Sequence, residues 1–255
     1  MAAGGAAIRD DDRVILGINF FQGTAIEAVR RMEGGGLLVV PAAPALKELG
    51  KNARYREALL HADLTIADSA FMVLVWNWLQ RDSITRLSGL EYLRELLNQP
   101  YVQEPGNCLW IMASPLSAKK NLHWLARHGI AVPEDCVYMA PIYGAEISDA
   151  PLLAVIEQRR PKHVILTVGG GTQERLGLYL KRNLSYLPAI HCIGAAIAFL
   201  SGDQVKIPVW ADKIYLGWLY RSISDPKRYV PRYWEARKLL YMLYRYRERL
   251  PISSE

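Results

Sequence analysis

The sequence has no hydrophobic run long enough to span a bilayer. Its longest apolar stretches, Phe71 to Val75 and Cys192 to Leu200 with Gly194 inside, fall far short of the roughly 20 residues that a membrane helix needs. The start of the chain carries three consecutive aspartates, residues 10–12, and lacks the basic, leucine-rich pattern of a secretory signal. We therefore expect neither export nor a membrane-spanning helix.

Cysteine is scarce, and the usual metal and nucleophile motifs are missing. The three cysteines, Cys108, Cys136 and Cys192, are odd in number and widely spaced, which excludes a disulfide framework and a CxxC pair and favours a reducing cytoplasm. None of the five histidines has a histidine four residues away, and the His191-Cys192 pair has no further ligand beside it, so we expect no zinc site and no metal. No GxSxG motif is present either.

What the chain does have is the composition of a globular protein with a basic, aromatic end. It has 255 residues, of which 51% are hydrophobic and 22% charged. From residue 206 onward it carries 11 Lys or Arg against 5 Asp or Glu, so this end accounts for the whole net charge of +6. The same segment holds 10 of the 25 aromatic residues.

Three interpretations fit the composition of this end of the chain. Interleaved basic and aromatic side chains suit an anionic membrane surface. Nucleic acid is the rival partner, because aromatics stack on bases and cations track phosphates. The third alternative is a solvated helix pair whose aromatics pack on the rest of the protein. An amphipathic helix is predicted near Tyr233 to Arg247, with Tyr233, Ala236, Leu240 and Leu243 on its apolar face, and we expect it to need a surface.

In the part of the chain that precedes the basic, aromatic end, short β-branched or apolar runs alternate with longer amphipathic stretches. Such alternation predicts an α/β fold, a Rossmann-like parallel sheet flanked by helices, with a helical basic C-terminal appendage. We expect a body of residues 1–202, which should fold without the rest, and an appendage of residues 203–255. The predicted strands are Val14–Ile18, Gly36–Val40, Leu64–Ile66, Cys108–Met112, Val137–Met139, His163–Val168 and Ile190–Ile193. The predicted helices are Thr24–Arg31, Ala45–Leu60 with a break near Gly50, Ser69–Leu79, Leu90–Leu97, Ala118–His128, Ala150–Gln158 and Gln173–Asn183.

Two strand-to-helix junctions carry polar groups where such sheets bind ligands, beyond the carboxyl ends of the strands. Asp68 follows the strand that ends at Ile66, and its carboxylate could act as a general base. The alternative is that Asp68 only caps the next helix. At the second junction, three glycines followed by a helix start could hold a phosphate or diphosphate, whereas Glu174 could merely complement the helix dipole. This second candidate site comprises Gly169, Gly170, Gly171, Gln173 and Glu174.

The acidic run of residues 10–12 is a third candidate, because paired acids hold a divalent metal in many sugar-nucleotide transferases. It precedes the first strand within an Ala/Gly-rich end. A rigid site is not expected there, so we interpret the run as a solvated tail.

Taken together, these segments resemble the WecG/TagA/CpsF family of bacterial glycosyltransferases over nearly the whole chain. Ala62-Asp63-Leu64 with Ala67-Asp68 is similar to the family's "adl..pDG", and residues 86–91 are similar to its "R.sG.dl". Gly169 to Glu174 resembles its "G.PkQE". The most specific likeness, to "GvGaaFdflaG..kRAP.w...glEWlyRl..eP.R..RY", comprises Gly194-Ala195-Ala196, Phe199, Gly202, Pro208, Trp210, Trp218-Leu219-Tyr220-Arg221, Pro226, Arg228 and Arg232-Tyr233.

The resemblance implies an inverting, metal-independent transfer from a UDP-sugar to a lipid-pyrophosphate-linked sugar, at the cytoplasmic face of the membrane. It assigns Asp68 as the base and gives the glycine loop with Gln173 and Glu174 to the donor. The cations Lys206, Arg221, Arg228 and Arg232 would meet pyrophosphate or the membrane. We expect no cofactor and no nucleic-acid partner. The sequence is compatible with a homo-oligomer.

The chain departs from the family pattern at several polar positions. The family's Thr and Asn after the second strand are Pro41 and Ala43 here, and its Asp in "aaFdf" is Ala198. Gly171 and Thr172 replace Pro and Lys in its glycine loop, and Ser69 replaces the Gly after its Asp. These changes keep open an alternative in which the protein is a non-catalytic membrane scaffold of a polysaccharide-assembly complex.

Overall fold

The structure is a computed structural model that describes residues 12–203, 223, 234 and 237–252. The strands are β1 (Arg13–Ile15), β2 (Ile18–Phe20), β3 (Gly36–Val39), β4 (Leu64–Thr65), β5 (Cys108–Met112), β6 (Val137–Met139), β7 (His163–Leu166) and β8 (Ala189–Cys192). The helices are α1 (Ala25–Met32), α2 (Ala43–Leu46), α3 (Ala53–Leu60), α4 (Ala70–Gln80), α5 (Gly89–Leu97), α6 (Pro100–Gln103), α7 (Pro115–Arg127), α8 (Ala150–Arg159), α9 (Thr172–Asn183), α10 (Ala196–Ser201) and α11 (Arg237–Tyr246), with a 3-10 turn at Glu134–Cys136.

Six strands form one parallel sheet in the order β4-β3-β8-β7-β5-β6. Because all of them run the same way, the loops that follow them gather at one edge, where α/β sheets bind ligands. The predicted α/β fold with a parallel sheet flanked by helices is confirmed.

The first predicted strand, Val14–Ile18, is wrong in detail. The chain turns at Leu16 and Gly17, which have φ values of 53° and 76°, so this segment makes a short antiparallel pair of β1 and β2 outside the main sheet. An extended strand cannot continue through two left-handed residues.

Alternate residues of the central strands face opposite sides of the sheet, as the two-residue period of a strand requires. In β3, Leu37 and Val39 join one apolar cluster, while Leu38 joins the other. The first cluster includes buried side chains of α2, α3, α4, α8, α9 and α11, and the second those of α1, α5, α7 and α10. The sheet is thus covered on both faces, which explains its continuous apolar strands.

The C-terminal helix α11 packs into this core. Leu239 and Leu243 are fully buried in the cluster that contains α4, and the backbone carbonyls of Arg247 and Glu248 accept hydrogen bonds from Leu16 and Gly17. A helix here was predicted, but its face was predicted incorrectly at Leu240, which is 39% exposed. The boundary at residue 202 stays a prediction. The described part of the appendage packs on the body through Leu239, Met242 and Leu243. The third alternative for this end of the chain supposed packing through aromatics, but Tyr241 and Tyr244 are each 63% exposed.

Within the described residues, no helix combines the length and the apolar character that crossing a membrane requires.

Candidate active site

Asp68 lies at the ligand-binding edge of the sheet, just beyond β4. Directly after β4, Ile66 forms an isolated parallel bridge with Phe21. The helix α4 then begins at Ala70, and the Ser69 side chain accepts the capping hydrogen bond from the backbone N–H of Met72 at 3.2 Å. The helix is therefore capped by Ser69, and the alternative that Asp68 is the N-cap is wrong.

The Asp68 carboxylate is held through one of its two oxygens. Oδ1 accepts hydrogen bonds from the backbone N–H of Gly89 at 3.1 Å and from Nη2 of Arg86 at 3.3 Å. Arg86 also donates from Nε to the backbone carbonyl of Asp68 at 2.6 Å, so two parts of one guanidinium fix the aspartate. Oδ2 has no hydrogen-bond partner among the described residues, and the side chain is 27% exposed. This oxygen can accept a proton from a bound hydroxyl.

Gly89 reaches Asp68 because α5 begins there. Ser88 caps the helix by accepting from the backbone N–H of Glu91 at 3.0 Å, which leaves the N–H of Gly89 pointing out of the helix start. A side chain at Gly89 would come within 3.0 Å of Cγ1 of Val40. The close approach needs glycine, and the helix start favours the nearby negative charge.

Arg86 and Gly89 hold Asp68, but neither was predicted from the sequence to belong to the site. Both belong to the "R.sG.dl" resemblance, but no role was assigned to either. The available signal was a capping Ser at residue 88 immediately before Gly89, since a helix start offers free N–H groups to an anion.

The glycine loop lies at the same edge, between β7 and α9. Gly171 has φ of 87°, a conformation that favours glycine, and its N–H donates to Oε2 of Glu174 at 2.6 Å. The carbonyl of Gly169 accepts from the N–H groups of Thr172 and Gln173. Gly169 and Gly170 are exposed, with open space around the position a Cβ would take. The loop therefore offers accessible backbone at the start of a helix.

Glu174 is turned into the protein and holds the loop from behind. Its side chain is fully buried, and Oε1 accepts from Nε2 of Gln173 at 3.2 Å. Burial raises the pKa of Glu174 to about 7, although the hydrogen bonds from Gly171 and Gln173 and the Arg175 guanidinium act in the opposite direction. The carboxyl thus shapes the loop and is shielded from solvent.

Gln173 carries a buried acceptor without a partner. The residue is 3% exposed, and its Oε1 makes no hydrogen bond to any described residue. The side chain lies against Gly194, just after β8, where an added Cβ would come within 3.3 Å of it. An amide oxygen left unpaired in the interior costs free energy, unless a ligand or water donates to it.

The two predicted sites share one edge but are not adjacent. Since β3 and β8 lie between β4 and β7, and strands are spaced by about 4.8 Å, Asp68 and the glycine loop are separated by roughly 14 Å. Gly89 and Gly194 lie between Asp68 and the glycine loop, and Gly89 lies near the carbonyl of Ile193. An extended ligand is needed to reach both ends.

The remaining predicted site residues lie elsewhere or outside the description. Lys206, Arg221, Arg228 and Arg232 lie outside the described residues. Three of the positions that depart from the family pattern are buried: Pro41 and Ala43 follow β3, and Ala198 belongs to α10.

The acidic run was predicted to be a solvated tail, and for Asp12 this is wrong. Its side chain is 1% exposed, and it accepts hydrogen bonds from Nδ2 of Asn19 and the N–H of Gln22, both at 3.2 Å. Arg31 lies 3.7 Å away as a counter-charge. Asp10 and Asp11 are not among the described residues. Asp12 thus connects the segment before β1 to β2 and α1. The prediction of a solvated tail did not anticipate these contacts.

Metal ligands do not gather in the part of the chain that the structure describes. No group of three His, Cys, Asp or Glu residues there lies close enough to hold a metal ion.

Comparison with known proteins agrees with this architecture. A model of the glycosyl transferase WecG/TagA/CpsF family matches residues 13–252. Curated relatives include the N-acetylglucosaminyldiphosphoundecaprenol N-acetyl-beta-D-mannosaminyltransferases of Staphylococcus aureus strains MRSA252 and MW2. Each is 21% identical over 223 residues, which is 84% of this chain and 85% of the relative. Because the family match covers nearly the whole chain, the protein is a glycosyltransferase of the WecG/TagA/CpsF family.

Proposed function

We propose that the protein transfers a sugar from a UDP-sugar to a lipid-pyrophosphate-linked sugar, with inversion and without a metal, in the synthesis of a bacterial cell-surface polysaccharide or glycolipid. The observation that carries the proposal is the geometry of Asp68, whose Oδ1 is fixed by Arg86 and Gly89 while Oδ2 is left to react. In this arrangement the aspartate is oriented before substrate arrives.

The chemistry follows from one displacement. Asp68 Oδ2 takes the proton of the acceptor hydroxyl, and the resulting oxygen attacks the anomeric carbon of the donor sugar. The bond from that carbon to the diphosphate breaks on the opposite side, so the configuration inverts and UDP leaves with the electron pair. Without a metal, cations and backbone N–H groups must stabilise the negative charge on the diphosphate.

The glycine loop supports binding of the donor. Gly169 and Gly170 leave their backbone open at the start of α9, and the buried Oε1 of Gln173 can accept a hydrogen bond from the nucleotide sugar. Glu174 acts by holding Gly171. We assign Lys206, Arg221, Arg228 and Arg232 to the acceptor pyrophosphate or the membrane surface, as the family resemblance implies.

The relatives indicate which substrates to try first. Their name describes transfer of N-acetylmannosamine to N-acetylglucosaminyl-diphospho-undecaprenol. We propose a donor and acceptor of the same class here. The buried apolar residues Pro41, Ala43 and Ala198 can make the donor preference differ from that of the relatives.

A lipid acceptor requires contact with a membrane, and α4 and α11 present a suitable surface. The helix α4 has no charged residue, and it exposes Phe71, Leu74 and Trp78, of which Trp78 is 75% exposed. The helix packed against it exposes further apolar and aromatic side chains, Leu240, Tyr241 and Tyr244.

Basic residues accompany these side chains. Arg237, Lys238 and Arg245 lie on α11, and the Arg237 guanidinium lies 4.5 Å from the ring centre of Trp234. Apolar, aromatic and cationic groups on one surface complement the acyl chains and anionic head groups of a bilayer. We propose that this α4–α11 surface docks the protein on the cytoplasmic face of the membrane, as a peripheral protein. Because α4 begins two residues after Asp68, docking there would bring the base near lipid-linked acceptors.

The test is turnover with UDP-sugars and an undecaprenyl-diphosphate-linked N-acetylglucosamine acceptor in the presence of a chelator. We expect sugar transfer that the chelator does not reduce, and a product whose anomeric configuration, measured by NMR, is opposite to that of the donor. Retention of configuration, or turnover that requires added metal, would contradict the mechanism. Folded protein that turns over no UDP-sugar would favour the scaffold alternative.

A further inference from the structure

A cavity of about 420 Å³ lies at the edge of the sheet opposite Asp68 and the glycine loop. It is lined by residues at the amino ends of β7 and β8 and by the segment before β3. The proposed transfer reaction uses none of these residues. Those that matter are Glu33, Tyr101, Arg160, Lys162, His163 and Tyr186.

The cavity has aromatic walls and two cations. The Arg160 guanidinium lies 4.3 Å from the ring centre of Tyr186. It is held in place by a hydrogen bond to Oγ of Ser185 at 3.2 Å and by an ion pair with Oε2 of Glu157 at 3.4 Å. Lys162 is exposed and forms no ion pair with any residue that the structure describes. The acid in the lining, Glu33, accepts a hydrogen bond from the Tyr101 hydroxyl at 3.4 Å.

A buried chain of three polar side chains ends at this cavity. The hydroxyl of Tyr92 lies 2.8 Å from Nδ1 of His191, and Nε2 of His191 lies 3.1 Å from Nδ1 of His163. Tyr92 and His191 are fully buried, and His163 is 4% exposed where it lines the cavity. Central strands of parallel sheets are normally apolar, so two histidines on β7 and β8 are an exception.

The chain has a direction, because the Tyr92 hydroxyl has one hydrogen and no other acceptor among the described residues. It therefore donates to Nδ1 of His191, which places the proton of this ring on Nε2. His191 then donates to Nδ1 of His163, and the His163 proton is on Nε2. Burial lowers the pKa of His191 and, with the nearby Lys162 ammonium, lowers that of His163 to about 4, so both rings are neutral near pH 7.

We propose that this cavity binds an aromatic oxyanion, a carboxylate or phosphate ester, at a site separate from the transfer reaction. Its oxygens would accept hydrogen bonds from Nε2–H of His163 and from Lys162 and Arg160, and its ring would lie against Tyr101 and Tyr186. The buried chain serves to present a donor rather than an acceptor at the cavity, which selects oxygen acceptors as ligands.

Calorimetric titration with benzoate, phenyl phosphate and neutral phenol tests the ligand class. We expect at least one anion to bind at least about tenfold more tightly than phenol, as loss of charge-assisted hydrogen bonds predicts. Lys162→Met should weaken that binding about tenfold, whereas Lys119→Met, a matched change at another exposed lysine, should not. Equal binding of phenol, no binding of either anion, or an unaltered affinity in Lys162→Met would overturn the proposal.

A second titration at saturating UDP distinguishes this cavity from the donor site. We expect phenyl phosphate to bind as before, because the two sites lie at opposite edges of the sheet. Displacement by UDP would place the anion in the donor site and overturn the proposal.

The tautomers are tested by ring ¹⁵N shifts in long-range proton–nitrogen NMR spectra. Both buried histidines should carry their proton on Nε2, and Tyr92→Phe should perturb His191 most, since it removes the donor to Nδ1. A proton on Nδ1 of His163 in the wild-type protein would leave an acceptor at the cavity and contradict the assignment.

Discussion

Asp68 and Glu174 are carboxylates in two separate loops at one edge of the sheet, but their surroundings give them different roles. Asp68 keeps one oxygen free of described partners and is partly exposed, whereas Glu174 is fully buried and holds the N–H of Gly171. A base that takes a proton from a substrate hydroxyl must be accessible to the substrate, whereas a group that supports a loop need not be. We therefore assign the base to Asp68 and the positioning role to Glu174.

The raised pKa of Glu174 predicts a pH dependence of stability. Since its pKa rises from 4.5 to about 7 on folding, the folded state holds a proton that the unfolded state has released between these values. The free energy of unfolding should therefore fall, through this group, as the pH rises from 4.5 to about 7, and this fall should stop above pH 7.

Glu174→Gln removes this titration. The stability of the variant relative to the wild type should increase by a few kcal/mol across the same pH range, measured by urea unfolding. Glu146→Gln, at an exposed acid, is the control and should run parallel to the wild type. Parallel curves for Glu174→Gln as well would show that Glu174 does not titrate in this range.

Substitution of two neighbouring glycines of the loop should affect different properties, the free energy of unfolding at Gly171 and UDP binding at Gly170. Gly171 has φ of 87°, so Gly171→Ala should lower the free energy of unfolding by about 1–3 kcal/mol. At Gly170 a Cβ meets open space, so Gly170→Ala should leave stability unchanged. It should weaken UDP binding, because the added methyl group lies where the backbone is proposed to approach the diphosphate. Calorimetry and urea unfolding of both variants check this. Equal effects on the two properties would contradict the assignment.

At the scale of elements, the α4–α11 surface predicts how the protein meets a bilayer. The double variant Leu74→Ser/Trp78→Ser should bind anionic vesicles at least about tenfold more weakly in a flotation assay, because it removes apolar area that inserts at the interface. Leu60→Ser, at the exposed end of α3, is the matched control and should bind normally. Unchanged flotation of the double variant would exclude α4 from the contact.

The sequence predicted most of these elements because their signals are local. The apolar runs of Gly36–Val40 and Cys108–Met112 became β3 and β5, and the helix at Ala150–Gln158 became α8. The short β1–β2 pair was mispredicted, since its turn depends on positive φ at Leu16, which a residue of that type rarely adopts.

The candidate site was predictable only in part. Asp68 and the glycine loop follow strands, so their shared edge was expected. The hydrogen bonds of Arg86 and Gly89 to Asp68 bring together residues about 20 positions apart, and no periodic pattern reports such a contact. Burial of Asp12 and Glu174 was missed for the same reason, because tertiary packing encloses them.

At the scale of the whole molecule, the C-terminal helix is part of the folded body. Leu239 and Leu243 are fully buried, and Arg56 donates to the carbonyl of Pro251 at 2.8 Å. Burial of each leucine stabilises the fold by about 1.5–3 kcal/mol, a large part of the stability of an ordinary domain. This packing argues against the expectation that residues 1–202 fold without the rest of the chain.

A truncation after residue 236 should therefore be insoluble or largely unfolded, as judged by circular dichroism and size-exclusion chromatography. A matched truncation after Ile252 removes only the last residues of the chain and should remain folded. A soluble, cooperatively folding product of the longer deletion would show that α11 is dispensable.

The measurement that tests the proposed mechanism most directly is the turnover rate of Asp68→Asn with a UDP-sugar and a lipid-pyrophosphate-linked acceptor. Asn keeps the shape and the hydrogen-bond acceptor for Gly89 but cannot take a proton, so we expect the rate to fall by about 10²- to 10⁴-fold while the protein stays folded. Asp135→Asn, the same change at an exposed aspartate, should keep the wild-type rate. Wild-type turnover by Asp68→Asn would contradict the assignment of Asp68 as the base.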